Sequence, residues 1–268
     1  MTTSANTRTH AVLGSTGERT PISTLSVVGL LVLWGIVAQT GIVNPLLLPS
    51  PFRVVMAARD IGPTLVFHFG ATVARIITGF VLGASVGVGV GLCMQYSRKV
   101  FVLLDGIVET SRPIPAVALV PFFLLVFGFA EVGKILLVTF GTSLIMIVAT
   151  VEAIERVPSG VLRWGLVLGL PRRKLFSRVI LPAAIPELRT GFRIALAVAV
   201  TLVIVSEFMG ATYGLGYLIN VAKITLTTPT LVLSVVLLGW VSWGLDRAVR
   251  LLFDRASAWD LRAKGALK

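Results

Sequence analysis

Apolar residues fall in long, nearly uninterrupted runs, and polar residues gather between the runs. This pattern lacks both the alternation of strands and the single stripe of a soluble helix. A helix needs about 20 mostly apolar residues to cross a bilayer. Six stretches qualify, at roughly 24–43, 70–96, 102–128, 134–152, 187–209 and 226–247. The second carries no charge between Ile76 and Ser97. The third holds Asp105, Glu109, Arg112, Pro113 and Pro115 in its first half. Prolines at 113, 115 and 121 remove backbone donors, so this segment is a kinked helix or two pieces. The predicted fold is an all-α integral membrane protein with about six transmembrane helices.

The connections carry further pattern. Residues 46–59 begin with Pro49 and Pro51 and continue as an amphipathic stretch suited to the membrane interface. Residues 210–216 (GATYGLG) form a glycine-rich turn before a short helix at 218–225. Glycines at 79, 83, 87, 89 and 91 place small residues along the second span, which permits close helix packing.

Composition agrees with a lipid-solvated chain. Only 13% of the 268 residues are charged, against about 25% in soluble domains, and the mean hydropathy is +0.94. The net charge of +12 would suit nucleic acid if it were spread over a surface. Instead Lys and Arg cluster beside the apolar runs, as topology control requires. With the N-terminus inside, eighteen basic residues lie in inner connections and tails. Four (Arg53, Arg59, Lys134, Lys223) lie outside, and Arg75 and Arg112 stand at membrane depth. Both termini are therefore expected in the cytoplasm. The first 22 residues are polar, and the apolar run at 25–43 is long enough to span, so an uncleaved first helix is expected.

Little in the sequence suggests enzymatic chemistry. Cys93, His10 and His68 have no ligand spacing, so no disulfide, metal site, cofactor or catalytic residue is expected. An intramembrane enzyme would need a nucleophile–base pair or a metal set, and the intramembrane candidates only pair charge with charge. Asp105, Glu109 and Arg112 share one helix face at i, i+4, i+7. Arg112 either pairs with Glu109 or faces a path and meets anionic solutes. Glu207 either holds the glycine-rich turn through backbone N–H groups or gates the outer mouth, and Arg75 is expected to snorkel.

The longest inner connection is 157–193. Residues 161–169 (VLRWGLVLG) are apolar enough to bury a face and too short to span. Gly169-Leu170-Pro171 breaks that helix, 172–178 starts a second basic turn, Leu181-Pro182 stops it, and Glu187 opens the next span. Such a knob suits either a soluble partner or the anionic lipid surface.

This segment resembles the cytoplasmic signature loop of binding-protein-dependent ABC importer permeases. Gly169 is followed by nine residues and then Val179, Ile180, Leu181 and Pro182, as in that signature. Its Glu-Ala-Ala positions are instead Arg163, Trp164 and Gly165, and Glu152-Ala153 lies too far upstream to serve. LLPSPFRVV (47–55), SRPIPAVALVPFFLLVFG (111–128) and SEFMGATYGLGYLI (206–219) resemble the branch for nitrate, taurine, aliphatic sulfonates and related solutes.

The resemblance implies a type I importer permease (MetI-like) fold in the inner membrane. It implies a second permease copy as a homodimer, separate ABC ATPase subunits and an extracytoplasmic solute-binding protein. The chain would divide into a cytoplasmic tail at 1–22, a permease domain at 23–250 and a C-terminal tail at 251–268. The importer core would lie at about 65–250 and the coupling loop at 157–182. Arg163, Trp164, Gly165, Gly169, Leu181 and Pro182 would meet the ATPase, and Glu109, Arg112 and Glu207 would line or gate the path of a small anionic solute. Arg163 in place of an acid implies an ATPase groove of altered charge. A phosphate loop of the Walker type is not found in the sequence, so ATP hydrolysis belongs to another subunit. The rival readings are a secondary transporter, which would show an internal repeat, and a membrane scaffold. An ATPase partner distinguishes both from an importer.

Overall fold

The computed structural model describes residues 19–40, 43–44 and 46–256, with side chains from residue 28 onward. Both expected tails lie largely outside the described residues. Helices follow the apolar runs because a backbone in lipid must satisfy its own N–H and C=O groups. Helix α1 (Arg19–Gln39) coincides with the first expected span, whose end includes residues outside those described. Helix α2 (Pro51–Ile61) starts with Ser50 Oγ accepting from the Arg53 N–H and with Pro51 in the first turn. Its buried Val54 and Ala57 pack with Leu233 and Trp34, while Phe52 and Val55 stay exposed, as an interfacial helix requires.

Helix α3 (Thr64–Tyr96) and helix α6 (Glu131–Glu155) form the centre. Glycines 79, 83, 87 and 91 recur every four residues on the α3 face toward α6. A Cβ at Gly83 would stand 2.6 Å from the Thr139 carbonyl oxygen, and one at Gly87 2.5 Å from Met146 Cβ. Gly89 points into open space and plays no part in this packing. Between them the chain forms α4 (Arg98–Ser111), a 3-10 turn (Ala116–Leu119) and α5 (Val120–Phe127). The break at Pro113 and Pro115 turns the chain by 86°, so the third segment is two pieces. Val120 and Leu124 of α5 enter the main core beside Leu137, Val138, Leu202 and Val203.

Helix α7 (Ser159–Val167) and the single turn α8 (Arg172–Leu175) form the knob. A π turn (Phe176–Ile180) joins α8 to α9 (Leu181–Gly210). Then come α10 (Leu215–Ile224) and α11 (Thr228–Ala256). Among the described residues four helices are long and apolar enough to span, and the bent pair makes five.

The expected stop at Leu181-Pro182 is absent: Arg172–Gly210 runs on as one 39-residue helical unit, and Glu187 lies inside it. Pro182 cannot donate to the preceding turn, and its ring crowds that turn. The π turn just ahead widens the backbone, with Leu181 N–H donating to the Phe176 carbonyl, and the helix continues.

Candidate functional site

Three assemblies gather the candidate residues. At one end of the bundle, here the loop end, α7 stands on a small core of Ala153, Val157, Ala184 and Leu188, with Val161 packed against it. Gly165 faces inward too, where a Cβ would lie 2.3 Å from Leu175 Cδ1. The opposite face carries Trp164, Val167 and Leu168, which are 72%, 80% and 74% exposed. Arg163 is also exposed. The helix ends in a Schellman cap. Leu170 N–H donates to the Gly165 carbonyl at 3.2 Å and Gly169 N–H to Leu166 at 2.9 Å. Gly169 adopts φ +65°, which explains a glycine at this point of the signature spacing.

The knob is tied to α3 by Arg172, whose Nη2 donates to the Tyr96 carbonyl at 2.8 Å. Phe176 sets its ring edge-on to Tyr96 at 5.3 Å. Leu181 and Pro182 are half-buried at the junction with α9, where the knob joins the span, and they are not on its exposed face.

Beside the knob runs a chain of charges. Arg112 donates to Glu109 at 2.7 Å and to Glu152 at 3.0 Å. Arg156 binds the other oxygen of Glu152 at 3.0 Å and approaches Glu187 at 4.0 Å. The expected pairing of Arg112 with Glu109 is present, but the depth differs. Glu152 lies in the last turn of α6, so Arg112 stands at the loop end and not at mid-membrane depth. The cause is the 86° bend, which keeps α4 at that end instead of continuing inward. Arg112 and Glu152 border a cavity of about 400 Å³ between α6, α9 and the broken segment, lined otherwise mainly by apolar residues such as Leu144, Ile145, Val148 and Val198. Sequence reasoning set Glu152 aside and missed Arg156 and Glu187. The signal was available, because Glu152 and Arg156 stand at i, i+4 at a helix end.

At the far end a buried polar cluster fixes the glycine-rich turn. Arg75 is 2% exposed and does not snorkel. Its Nε and Nη2 hold Glu131 at 2.6 and 2.7 Å, and Nη1 donates to Glu207 at 2.6 Å and to the Tyr213 carbonyl at 2.9 Å. With two carboxylates in reach, burial costs less than extension to the interface. Glu207 accepts from the Gly216 N–H at 2.7 Å and from Thr72 Oγ1 at 2.9 Å, and Thr72 Oγ1 accepts from the Leu215 N–H at 2.8 Å. Glu207 thus holds the turn through a backbone N–H, and it is fully buried. His68 Nδ1 accepts from the Gly214 N–H at 3.0 Å. Lys134, expected in an outer connection, is buried within α6 beside Glu131. Neither Glu131 nor Thr72 stood out in the sequence, because their partners lie on other helices.

Among the described residues no group of three metal-ligating side chains is found. The family described as binding-protein-dependent transport system inner membrane component matches residues 79–256. The taurine transport system permease protein of Escherichia coli (strain K12) is 32% identical over 245 residues, 89% of this chain and 88% of its own length. A Bacillus subtilis (strain 168) protein named for aliphatic sulfonates transport is 30% identical over 232 residues, 86% of this chain and 84% of its own. Among solved structures, an inward-facing form of the MetNI methionine ABC transporter superposes with a TM-score of 0.59 at 23% identity. It covers 72% of this chain and 98% of its own, and it supports the fold. The chain belongs to the inner-membrane components of binding-protein-dependent transport systems: it is a multi-pass ABC importer permease, a transport subunit and not an enzyme.

Proposed function

We propose that two copies of this chain form the path of an importer for a small solute with an anionic head, such as a sulfonate, delivered by an extracytoplasmic binding protein. The names of the taurine and sulfonate relatives support that class. The basic residues beside the loop-end helix termini support cytoplasmic termini. The permease domain is 23–250, its importer core about 65–250, and the tails are 1–22 and 251–268.

One observation carries the coupling role. A capped helix presents Trp164, Val167 and Leu168 outward while its other face is packed, an apolar surface shaped for a partner. The knob at 157–182 docks on a separate ATPase subunit through Arg163 and Trp164. Gly165 and Gly169 shape the knob, and Leu181 and Pro182 join it to α9. ATP binding draws the two ATPases together and moves the knobs, and the rigid α8–α9 unit transmits that motion to the path, a population shift between inward-open and outward-open states. Residues 157–182 contain five basic residues and no acidic one, so the receiving groove is acidic. Glu109 and Arg112 border the inner mouth of the path, and Glu207 keeps the outer turn in place.

The test is co-purification of the ATPase with Trp164→Ala and Arg163→Glu variants that insert normally, together with uptake into proteoliposomes. Both variants are expected to release the ATPase and abolish ATP-driven uptake. Retention of the ATPase and full uptake in both would end the docking assignment.

A further inference from the structure

Helices α6 and α9 form a groove that the broken segment fills only in part. Toward the far end α5 lies in the groove, with Val120 and Leu124 packed against Leu137, Leu202 and Val203. Toward the loop end the groove stays open as the cavity of about 400 Å³, where Ile114 and Ile194 are 49% and 53% exposed. The backbone between the two parts is not helical. Arg112 reaches Glu152 in the last turn of α6, whereas Ala116 lies beside Gly141, near the middle of that helix. Pro113, Ile114 and Pro115 therefore stand inside the span, and all three are exposed. The prolines have no N–H, and the Ile114 N–H turns back to the Ser111 carbonyl at 3.2 Å. Among the described residues no backbone N–H donates to the carbonyls of Pro113 and Ile114.

Lipid cannot cover such a surface. Irregular backbone at membrane depth is tolerated only against protein or a water-filled space. Arg112 and Glu152, each with a side chain 42% exposed, make the same demand. The outer face of α5 continues this side of the molecule with Phe122 and Leu125, 58% and 81% exposed and one turn apart. At eight residues α5 is about 12 Å long, less than half the bilayer core, so lipid chains lying along it would also meet the bare backbone. Helix α1 is not placed to cover this side, since its Trp34 packs with α2 and α11. The segments 1–18 and 257–268 contain no apolar run long enough to lie along it. A second copy meets every demand with one contact. A twofold axis along the membrane normal sets α5 against α5 and turns the two open grooves toward each other across water. Phe122 and Leu125 then meet their own counterparts, and such an apolar constriction excludes water and polar solutes.

We infer that α5 packs on α5 of a second copy through Phe122 and Leu125, and that this contact seals the far end of the path while the loop end is open. The inference rests on the reading that two copies form an importer path, and it names the surface that joins them and the residues that close it.

Cysteine cross-linking of the full permease–ATPase complex in proteoliposomes tests the contact, with Cys93→Ser removing the native thiol. Leu125→Cys is compared with Trp240→Cys, which is 68% exposed on α11 beside Phe69 and Val73 of α3. Both are surface positions, so neither substitution disturbs the core. Mild oxidation without nucleotide should link most of the Leu125→Cys permease into dimers and leave Trp240→Cys monomeric. Linkage of Leu125→Cys no greater than that of Trp240→Cys would mean that lipid or another chain covers α5, and would overturn the contact. Trapping the ATPases with ATP and vanadate should reduce the Leu125→Cys cross-link severalfold, as the two α5 helices part. An unchanged cross-link in a complex that does perform ATP-driven uptake would overturn the seal. The Phe122→Ala/Leu125→Ala variant supplies a second measurement. Without nucleotide it should leak entrapped ethanesulfonate about tenfold faster than wild type, because the constriction is widened. A leak equal to wild type would also overturn the seal. A Leu125→Cys cross-link in a complex without any ATP-driven uptake would uphold the contact and sink the importer reading instead.

Discussion

Arg75 and Glu207 lie 132 residues apart and meet at 2.6 Å with both side chains fully buried. Through this contact α3 grips the end of α9, and Glu131 on the second face of the guanidinium brings in α6. The glycine-rich turn hangs on the same group, since Tyr213, Leu215 and Gly216 all bond into the cluster. One arginine thus organises the end of the bundle opposite the knob.

Removing that arginine should be more damaging than removing either carboxylate. Arg75→Met leaves Glu207 buried with no guanidinium, and breaking a buried pair this way costs about 3–5 kcal/mol, while the half-exposed Glu131 keeps Lys134 and water. Glu207→Gln keeps Arg75 on Glu131 and retains an oxygen for Thr72 and Gly216, so its cost should be smaller. The Arg75→Met/Glu207→Gln double variant should lose less than the sum of the two, because the partners share one network. Reversible unfolding in detergent measures all three. Equal costs that add simply would contradict the network.

The α3–α6 stripe separates two kinds of glycine. Gly83→Ala must force its methyl against the Thr139 carbonyl, a backbone atom that cannot rotate away, while Gly89→Ala meets nothing within 4 Å. Overpacking of this kind costs about 1–3 kcal/mol, whereas the gain in helix propensity at an open site is about 0.5–1 kcal/mol. Gly83→Ala should therefore lower the unfolding midpoint and Gly89→Ala should hold or raise it. A matched loss in both variants would mean that glycine serves the helix in some way other than close approach.

The knob's shape can be tested at its cap and its seat. Gly169 at φ +65° closes the Schellman motif, so Gly169→Val should reduce ATP-driven uptake strongly and Gly169→Asn only slightly, since Asn tolerates this conformation. Gly165→Ala drives a methyl into Leu175 Cδ1, the end of a flexible side chain. Truncating that side chain should relieve the clash, so Gly165→Ala/Leu175→Ala should recover uptake lost in the single variant. Uptake in these four variants, each normalised to inserted protein, decides both points. A Gly169→Asn variant as poor as the valine would remove the cap argument.

Much of this was legible in the sequence, and what was not has a common cause. The span runs, the broken third segment at Pro113 and Pro115, the packing glycines and the helix break at Gly169 all depend on local pattern, which composition records directly. The charge contacts depend on which helices stand side by side. Arg75 looked like a candidate for the interface because its carboxylates, Glu131 and Glu207, lie 56 and 132 residues away. Glu152 looked irrelevant because its partner Arg112 lies 40 residues away, at the end of another helix. Prolines were the other source of error. Pro113 and Pro115 break the chain in a short linker, but Pro182 does not, because the widened turn before it absorbs the missing donor.

That widened turn makes Pro182 the most informative single position for coupling. The π turn inserts an extra residue into the path from knob to α9, so it sets the angular position of α8 relative to the span. Pro182→Ala restores a donor and removes the ring, and both changes favour closing Phe176–Ile180 into an ordinary α-helical turn. Closing it would rotate the knob relative to α9 by about 100° and move it by about 1.5 Å, the step of one residue. The fold should survive, because the cores of α3, α6 and α9 are not touched. The docking face, however, would point elsewhere. The sole cysteine, Cys93, is exposed on α3 and offers a ready label site. Pulsed EPR between a label there and one at Arg173→Cys should report a changed distance in Pro182→Ala, accompanied by loss of ATP-driven uptake at near-normal thermal stability. An unchanged distance with normal uptake would mean that the π turn holds its shape without the proline and that the knob's angle is set by its contacts with Tyr96.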